Sequence, residues 1–287
     1  MPPALGLLLV TLFWAGNFTM SKLALRAIPV QPFTALRFAL GATILVALLR
    51  PTRLPPRHLR WRLVGLGILG NTVYQVFFMN GLKRTTATNS ALILAAVPAV
   101  VTAMVALLGI ERVTRRQWAA VAVATIGVVC VVLGGGAGLG GGSRTGDLMT
   151  VVGVFCWAGY TAGVRTFAGE MGALEVTAWT MVTGAPGLVL LGVPEMAAVD
   201  WGAVPPLAWA GLLYSSLLSL VAAYFLWNRG VAALGASRTA LYSCFTPLVA
   251  TGIAMAVLGE RPTLFHGAGA ALILAGVLLS QRRPATA

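Results

Sequence analysis

Apolar residues along this chain come in runs of about twenty, and short clusters of proline, glycine and arginine separate the runs. Neither soluble period, two for a strand or 3.6 for a half-buried helix, accounts for stretches so nearly unbroken. A ruler of roughly 17 to 25 residues, the helix length that crosses a bilayer, marks ten candidate spans. They cover residues 3–21, 32–50, 62–80, 86–108, 115–133, 147–165, 173–193, 205–228, 236–258 and 263–281. The breaks fall at Pro29 and Pro32, at Pro51, Pro55 and Pro56, at Lys83 and Arg84, along Gly134 to Gly142, and at Pro194, Pro205, Pro206 and Pro262.

The pattern also reads twice. Phe13-Trp14-Ala15-Gly16-Asn17 returns 143 positions later as Cys156-Trp157-Ala158-Gly159-Tyr160, and Gly41 meets Gly184 at the same offset. Further on the offset is 149, which pairs Gly81 with Gly230, Ala91 with Ala240, Pro98 with Pro247 and Glu111-Arg112 with Glu260-Arg261. A period this long is a duplicated domain rather than a solenoid repeat. The expected organisation is a first five-helix half at residues 1–133, a Gly-rich linker at 134–146 and a second half at 147–287. Five is odd, so the second copy enters the membrane from the opposite side.

Charge sets the orientation. With a cytoplasmic N-terminus, thirteen Arg residues fall inside, from Arg50, Arg53, Arg57, Arg60 and Arg62 to Arg282 and Arg283, and six Lys or Arg fall outside. That bias puts both termini in the cytoplasm by the positive-inside rule. The N-terminal run lacks a basic leader and an Ala-x-Ala site, so it reads as the first span rather than a cleaved signal.

Composition agrees: 58% apolar, 9% charged and a mean hydropathy of +0.88 describe an integral membrane protein. The net charge of +13 sits at helix ends, not along a polar stripe, which argues against nucleic acid. Anionic lipid headgroups suit the loop from Arg50 to Arg62 better. Cys130, Cys156 and Cys244 lie in apolar helices at no metal-ligand spacing, and no metal or cofactor is expected. Gly136-Ala137-Gly138-Leu139-Gly140-Gly141 matches a dinucleotide fingerprint in letters only, because it joins two spans and not a strand and a helix. No Walker lysine follows it. With two histidines, His58 and His266, and all seven acids at loops or span ends, an enzyme or a carboxylate-driven proton pump is poorly supplied.

The spans do hold aromatic and amide residues. Trp14 and Asn17 share a face of the first span, as do Trp157 and Tyr160 on the sixth. Tyr74 and Phe78 on the third correspond to Ala223 and Trp227 on the eighth, which adds Tyr224. Asn89 and Ser90 on the fourth match Arg238 and Thr239 on the ninth, beside Tyr242 and Ser243. These are candidates to line a central pocket; the alternative for such aromatics is helix packing or the interfacial belt. Trp61, Trp118, Trp201 and Trp209, near span ends, belong to the belt. Lys22 is either a snorkelling anchor or a contact for a substrate carboxylate, and Arg37 reads as an outer-leaflet anchor or a structural partner. Pro98 and Pro247, midway along the fourth and ninth spans, are candidate gating hinges. Glu111 and Glu260 are expected to pair with nearby arginines or backbone amides.

Phe13-Trp14-Ala15-Gly16-Asn17-Phe18, Ser21-Lys22, Thr34-Ala35-Leu36-Arg37-Phe38 and Gly259-Glu260-Arg261 resemble the EamA-type members of the drug/metabolite transporter superfamily, and among them the YddG-type bacterial exporters of aromatic and other amino acids. The resemblance implies ten helices in two inverted repeats around a central cavity. It implies export from the cytoplasm across the bacterial inner membrane by alternating access, with no cofactor and a monomer as the expected unit. It places the cargo against Trp14, Asn17, Lys22, Tyr74, Phe78, Trp157, Tyr160 and Trp227. Small multidrug transporters of the same superfamily depend on a glutamate in their first span; this first span has none, which argues for facilitated efflux. The competing readings are the same fold moving cationic drugs or nucleotide-linked sugars, and a non-transporting scaffold or enzyme.

Overall fold

The structure, a computed structural model, describes residues 1–49, 54–110, 113–135 and 143–281. Among these residues every regular element is helical. In lipid the backbone must satisfy its own polar groups, and a helix does so within a single segment.

Helices α1 (Pro3–Ala24) and α2 (Val30–Leu49) are continuous. The third stretch is α3 (Arg57–Gly67), a wide π-helical turn at Ile68–Val73, and α4 (Tyr74–Arg84). The fourth is α5 (Ala87–Leu94) and α6 (Val97–Leu107), parted at Ala95 and Ala96, and α7 (Arg115–Gly135) follows. The second half repeats this plan with α8 (Arg144–Arg165) and α9 (Ala173–Met196). Next come α10 (Pro206–Tyr214), a π-helical turn at Ser215–Ala222 and α11 (Ala223–Leu234). Then come α12 (Ala236–Leu241), a 3-10 turn at Tyr242–Phe245 and α13 (Thr246–Leu258), and α14 (Leu264–Gln281) closes the order.

Seven of the ten expected stretches are, among the described residues, long and apolar enough to cross a bilayer: Pro3–Ala24, Val30–Leu48, Arg57–Arg84, Ala87–Leu107, Arg144–Arg165, Ala173–Met196 and Pro206–Leu234. At the other three places the chain is helical too, as α7, as α12 with α13, and as α14. Two boundaries shift. Part of the expected basic loop is helix, since Arg57, Arg60 and Arg62 lie on α3; and α7 runs through Gly135 while α8 starts at Arg144, inside the expected linker. Residues 136–142 of that linker, together with Glu111 and Arg112, lie outside the described residues.

Packing follows the duplication. In the first half α1 lies against α10, α11 and α13 of the second, and its counterpart α8 lies against α4, α5 and α6 of the first. Likewise α2 packs on α9, and α7 on α14. Where α3 crosses α9, a side chain on Gly184 would run into the backbone of Gly67, so only glycine lets these helices approach so closely. Outward-facing Leu12, Phe155, Leu190 and Leu264 are exposed, as suits a surface whose solvent is hydrocarbon.

Candidate substrate cavity

Where the two halves meet, the breaks in the helices turn polar and aromatic side chains toward a small cavity. Its wall includes Trp14, Asn17, Phe18 and Arg37 from α1 and α2, with Tyr74, Gln75 and Phe78 from α4. Trp157 enters from α8, Ser219 and Tyr224 from around the second π-turn, and Ser243 and Thr246 from around the 3-10 turn.

The aromatic part is one connected cluster centred on Trp157. Its ring centroid lies 5.4 Å from Trp14, 5.1 Å from Tyr74, 5.1 Å from Tyr160, 5.0 Å from Tyr224 and 5.8 Å from Trp227. Tyr74 and Phe78 stack with their planes 5° apart, as their spacing of one helical turn allows. Offset and edge-on contacts of this kind contribute about 0.5–1.5 kcal/mol each beyond area burial, so the cluster is a stiff wall.

The polar part is a relay of hydrogen bonds. Arg37 Nη1 donates to Gln75 Oε1 at 3.3 Å, and Gln75 Nε2 donates to the Tyr224 hydroxyl at 3.1 Å. Asn17 Oδ1 accepts from Ser215 Oγ at 2.6 Å and from Ser21 Oγ at 3.1 Å. Its carbonyl is therefore committed to protein donors, and its NH2 has no protein acceptor among the described residues.

A second polar centre sits at one end of the bundle, where α1, α4, α5, α8 and α14 converge. Asp147, fully buried in the first turn of α8, accepts from Thr85 Oγ1 at 2.5 Å and from Asn89 Nδ2 at 3.0 and 3.1 Å. His266 Nε2 donates to Asn89 Oδ1 at 2.5 Å, since an amide oxygen only accepts; His266 Nδ1 correspondingly accepts from the Thr263 amide at 2.9 Å. Glu260 caps α5 by accepting from the backbone amides of Ala87 and Thr88 at 2.8 and 2.9 Å. Lys22 donates to the Thr85 carbonyl and Lys83 to the Leu25 carbonyl. The bonds of Asp147, His266 and Glu260 to Thr85, Asn89, Ala87 and Thr88 latch the two halves together, while those of Lys22 and Lys83 tie the end of α1 to the end of α4 within the first half.

The expected site residues thus separate into groups. Trp14, Asn17, Tyr74, Phe78, Trp157, Tyr224 and Ser243 line the cavity. Tyr160 and Trp227 stand behind the wall, in ring contact with Trp157; the Tyr160 hydroxyl accepts from Asn228 Nδ2 at 2.8 Å, and Trp227 Nε1 donates to Thr161 at 3.2 Å. Tyr242 offers its backbone carbonyl to Thr11 at 2.8 Å. Asn89 belongs to the latch, and Lys22 to the first-half bond beside it, instead of the cavity wall. Pro98 and Pro247 lie midway along the fourth and ninth spans, and there each stands in the first turn of α6 or α13, just past a break. There a missing amide proton costs nothing.

Of the two readings given for Arg37, the outer-leaflet anchor does not hold: it is 1% exposed, is bonded to Gln75 and lines the cavity. Sequence reasoning passed over Gln75, Asp147 and His266. Glu260 does bond to backbone amides, one of the two partners expected for it. Of the belt tryptophans, Trp61, Trp118 and Trp209 are exposed, and Trp201 Nε1 is bonded to the Met196 carbonyl.

Two interlocked helical halves, an apolar outer surface and a polar-aromatic cavity between them define a multi-pass membrane transporter. The EamA-like transporter family model matches residues 1–133 and 144–281, and the chain belongs to that family. It is 29% identical to an uncharacterised transporter, YyaM, of Bacillus subtilis (strain 168), over 93% of this chain and 90% of that one. It is 27% identical to a Streptantibioticus cattleyicolor protein named "Probable terminal-alkyne amino-acid exporter", over 97% and 93%. A crystal structure of a protein at 21% identity superposes with a TM-score of 0.70 over 97% of this chain and 96% of that one, which shows a shared fold. The family identifies the chain as a transporter and not an enzyme.

Proposed function

We propose that this protein exports amino acids with apolar or aromatic side chains, or closely related metabolites, through the cavity between its halves by alternating access. The observation that carries the reading is the connected ring wall of Trp14, Tyr74, Phe78, Trp157 and Tyr224 set beside the amides of Asn17 and Gln75. An apolar side chain packs on the rings, and the backbone end of the cargo meets the polar relay. The amino-acid exporter among the relatives supports the same class of cargo. Cationic drugs fit less well, because no carboxylate stands on the described cavity wall.

In this reading residues 1–133 and 147–287 are the two moving halves joined through 134–146. The protein works as a monomer in the bacterial inner membrane with both termini in the cytoplasm. The cavity-lining residues contact the cargo, Tyr160 and Trp227 brace them, and Pro98 and Pro247 mark the joints at which the gates bend.

The test is uptake of labelled phenylalanine, threonine and methionine into liposomes carrying the purified protein, with and without an imposed pH gradient. Flux above that of protein-free liposomes is expected, largest for phenylalanine and insensitive to the gradient. No flux for any of the three would refute the amino-acid reading.

A further inference from the structure

Arg37 is a cation in the middle of a membrane protein, 1% exposed, and no carboxylate pairs with it among the described residues. Its guanidinium makes one side-chain hydrogen bond, the 3.3 Å contact to Gln75, and its Nε is buried without an acceptor. The rings of Phe33 and Phe38 lie 5.6 and 5.9 Å from its central carbon. An amide and two ring faces are weak compensation for a desolvated charge, which in a protein interior is ordinarily neutralised by a counter-ion. The open side of this group is the cavity.

The surroundings share one polarity. The free NH2 of Asn17 is a donor, and the Tyr224 hydroxyl, already accepting from Gln75, has its proton to give. Nothing on the described wall carries negative charge.

We infer that Arg37 is the anion-binding centre of the cavity and that the substrate class is small monocarboxylates with an apolar or aromatic tail, whose carboxylate is required and whose ammonium group is not. The forked guanidinium matches a carboxylate, whereas its one positive charge would leave a doubly charged phosphate half-compensated in a buried site. This rests on the cavity being the cargo site proposed above.

The experiment is calorimetric titration of the purified wild-type protein with phenylalanine, 3-phenylpropionate and 2-phenylethylamine, compounds that share a tail and differ in charged groups. Phenylalanine and 3-phenylpropionate are expected to bind with comparable affinity. The amine is expected to bind about ten- to a hundredfold more weakly, the difference one charge-assisted hydrogen-bonded contact makes. Binding of the amine as tight as that of phenylalanine, or no binding of 3-phenylpropionate beside clear binding of phenylalanine, would overturn the assignment while leaving the cavity reading in place. No binding of any of the three would overturn both.

Arg37→Gln supplies a second, independent readout. It should weaken 3-phenylpropionate by a similar factor while the ligand-free thermal midpoint holds or rises, because an uncompensated buried charge has been removed. A fall in the ligand-free midpoint with affinity intact would make Arg37 a structural residue and overturn the inference. The wild-type ligand series decides the matter should that variant not fold.

Discussion

Asn89 is the residue through which the latch can be tested apart from the cavity. Its amide bridges the Asp147 carboxylate at 3.0 and 3.1 Å to the His266 ring at 2.5 Å, with all three side chains buried. Asn89→Ala removes a hydrogen bond to a charged acceptor, about 1.5–3 kcal/mol, and leaves a buried imidazole N–H without an acceptor, about 1–3 kcal/mol. Thr85 still holds Asp147 at 2.5 Å, so part of the loss is recovered by relaxation and the expected destabilisation is about 2–5 kcal/mol. Thermal unfolding in detergent, followed by tryptophan fluorescence, should show a midpoint several degrees lower. Phenylalanine affinity should change little, because Asn89 is absent from the cavity wall. A cycle with His266→Ala should return a coupling of about 0.5–3 kcal/mol, the range for residues in one network. Unchanged stability with zero coupling would refute the latch, and lost binding at unchanged stability would return Asn89 to the cavity.

Trp157 touches five rings, so Trp157→Ala should cost about 3–5 kcal/mol and lower folded yield together with flux, whereas Trp157→Phe should keep the yield and cut flux; equal behaviour of the two variants in both assays would deny the ring cluster its structural part. Glu260→Ala uncaps two amides of α5, and a loss of about 0.5–2 kcal/mol should appear in the same unfolding assay without a change in phenylalanine affinity. Gly184→Leu should abolish folded protein on size-exclusion chromatography, because the added side chain meets the Gly67 backbone. Gly252→Ala, with open space around it, should be neutral or stabilising by about 0.5–1 kcal/mol through helix propensity.

The duplicated pattern and the helical class were legible because span length and the Trp-Ala-Gly signature are local features of the chain. Trp14 with Asn17, and Tyr74 with Phe78, could be placed on one face each from spacing alone, and each pair faces the cavity. Arg37 could not be read in the same way. Lipid and protein interior both select apolar neighbours, so Phe33 and Phe38 around it say nothing about which side of α2 is buried. Asp147 and His266 were invisible for a related reason: each lies at a helix start, the expected place for a solvated polar group, and only tertiary packing brings both onto Asn89. The prolines mark the middles of their spans, but the letter alone does not say whether a proline kinks a continuous helix or begins a new one after a break. The wide turns at Ile68–Val73 and Ser215–Ala222 have no sequence signal of this kind, and by holding extra residues they rotate every side chain beyond them relative to an unbroken helix.

Those interruptions recur about 149 residues apart in the two halves, yet in different postures. The first half parts at Ala95 and Ala96 and passes Thr86 in an extended conformation with φ −78°. At the matching points the second half winds through Tyr242–Phe245 and passes Gly235 at φ +89°. On the alternating-access reading proposed above, two copies of one jointed frame held in unlike poses would stand for the two endpoints of a stroke. Were each copy to take the pose of the other, the same joints would give the opposite phase of the cycle. A single chain of this design would then carry the outline of its own return journey.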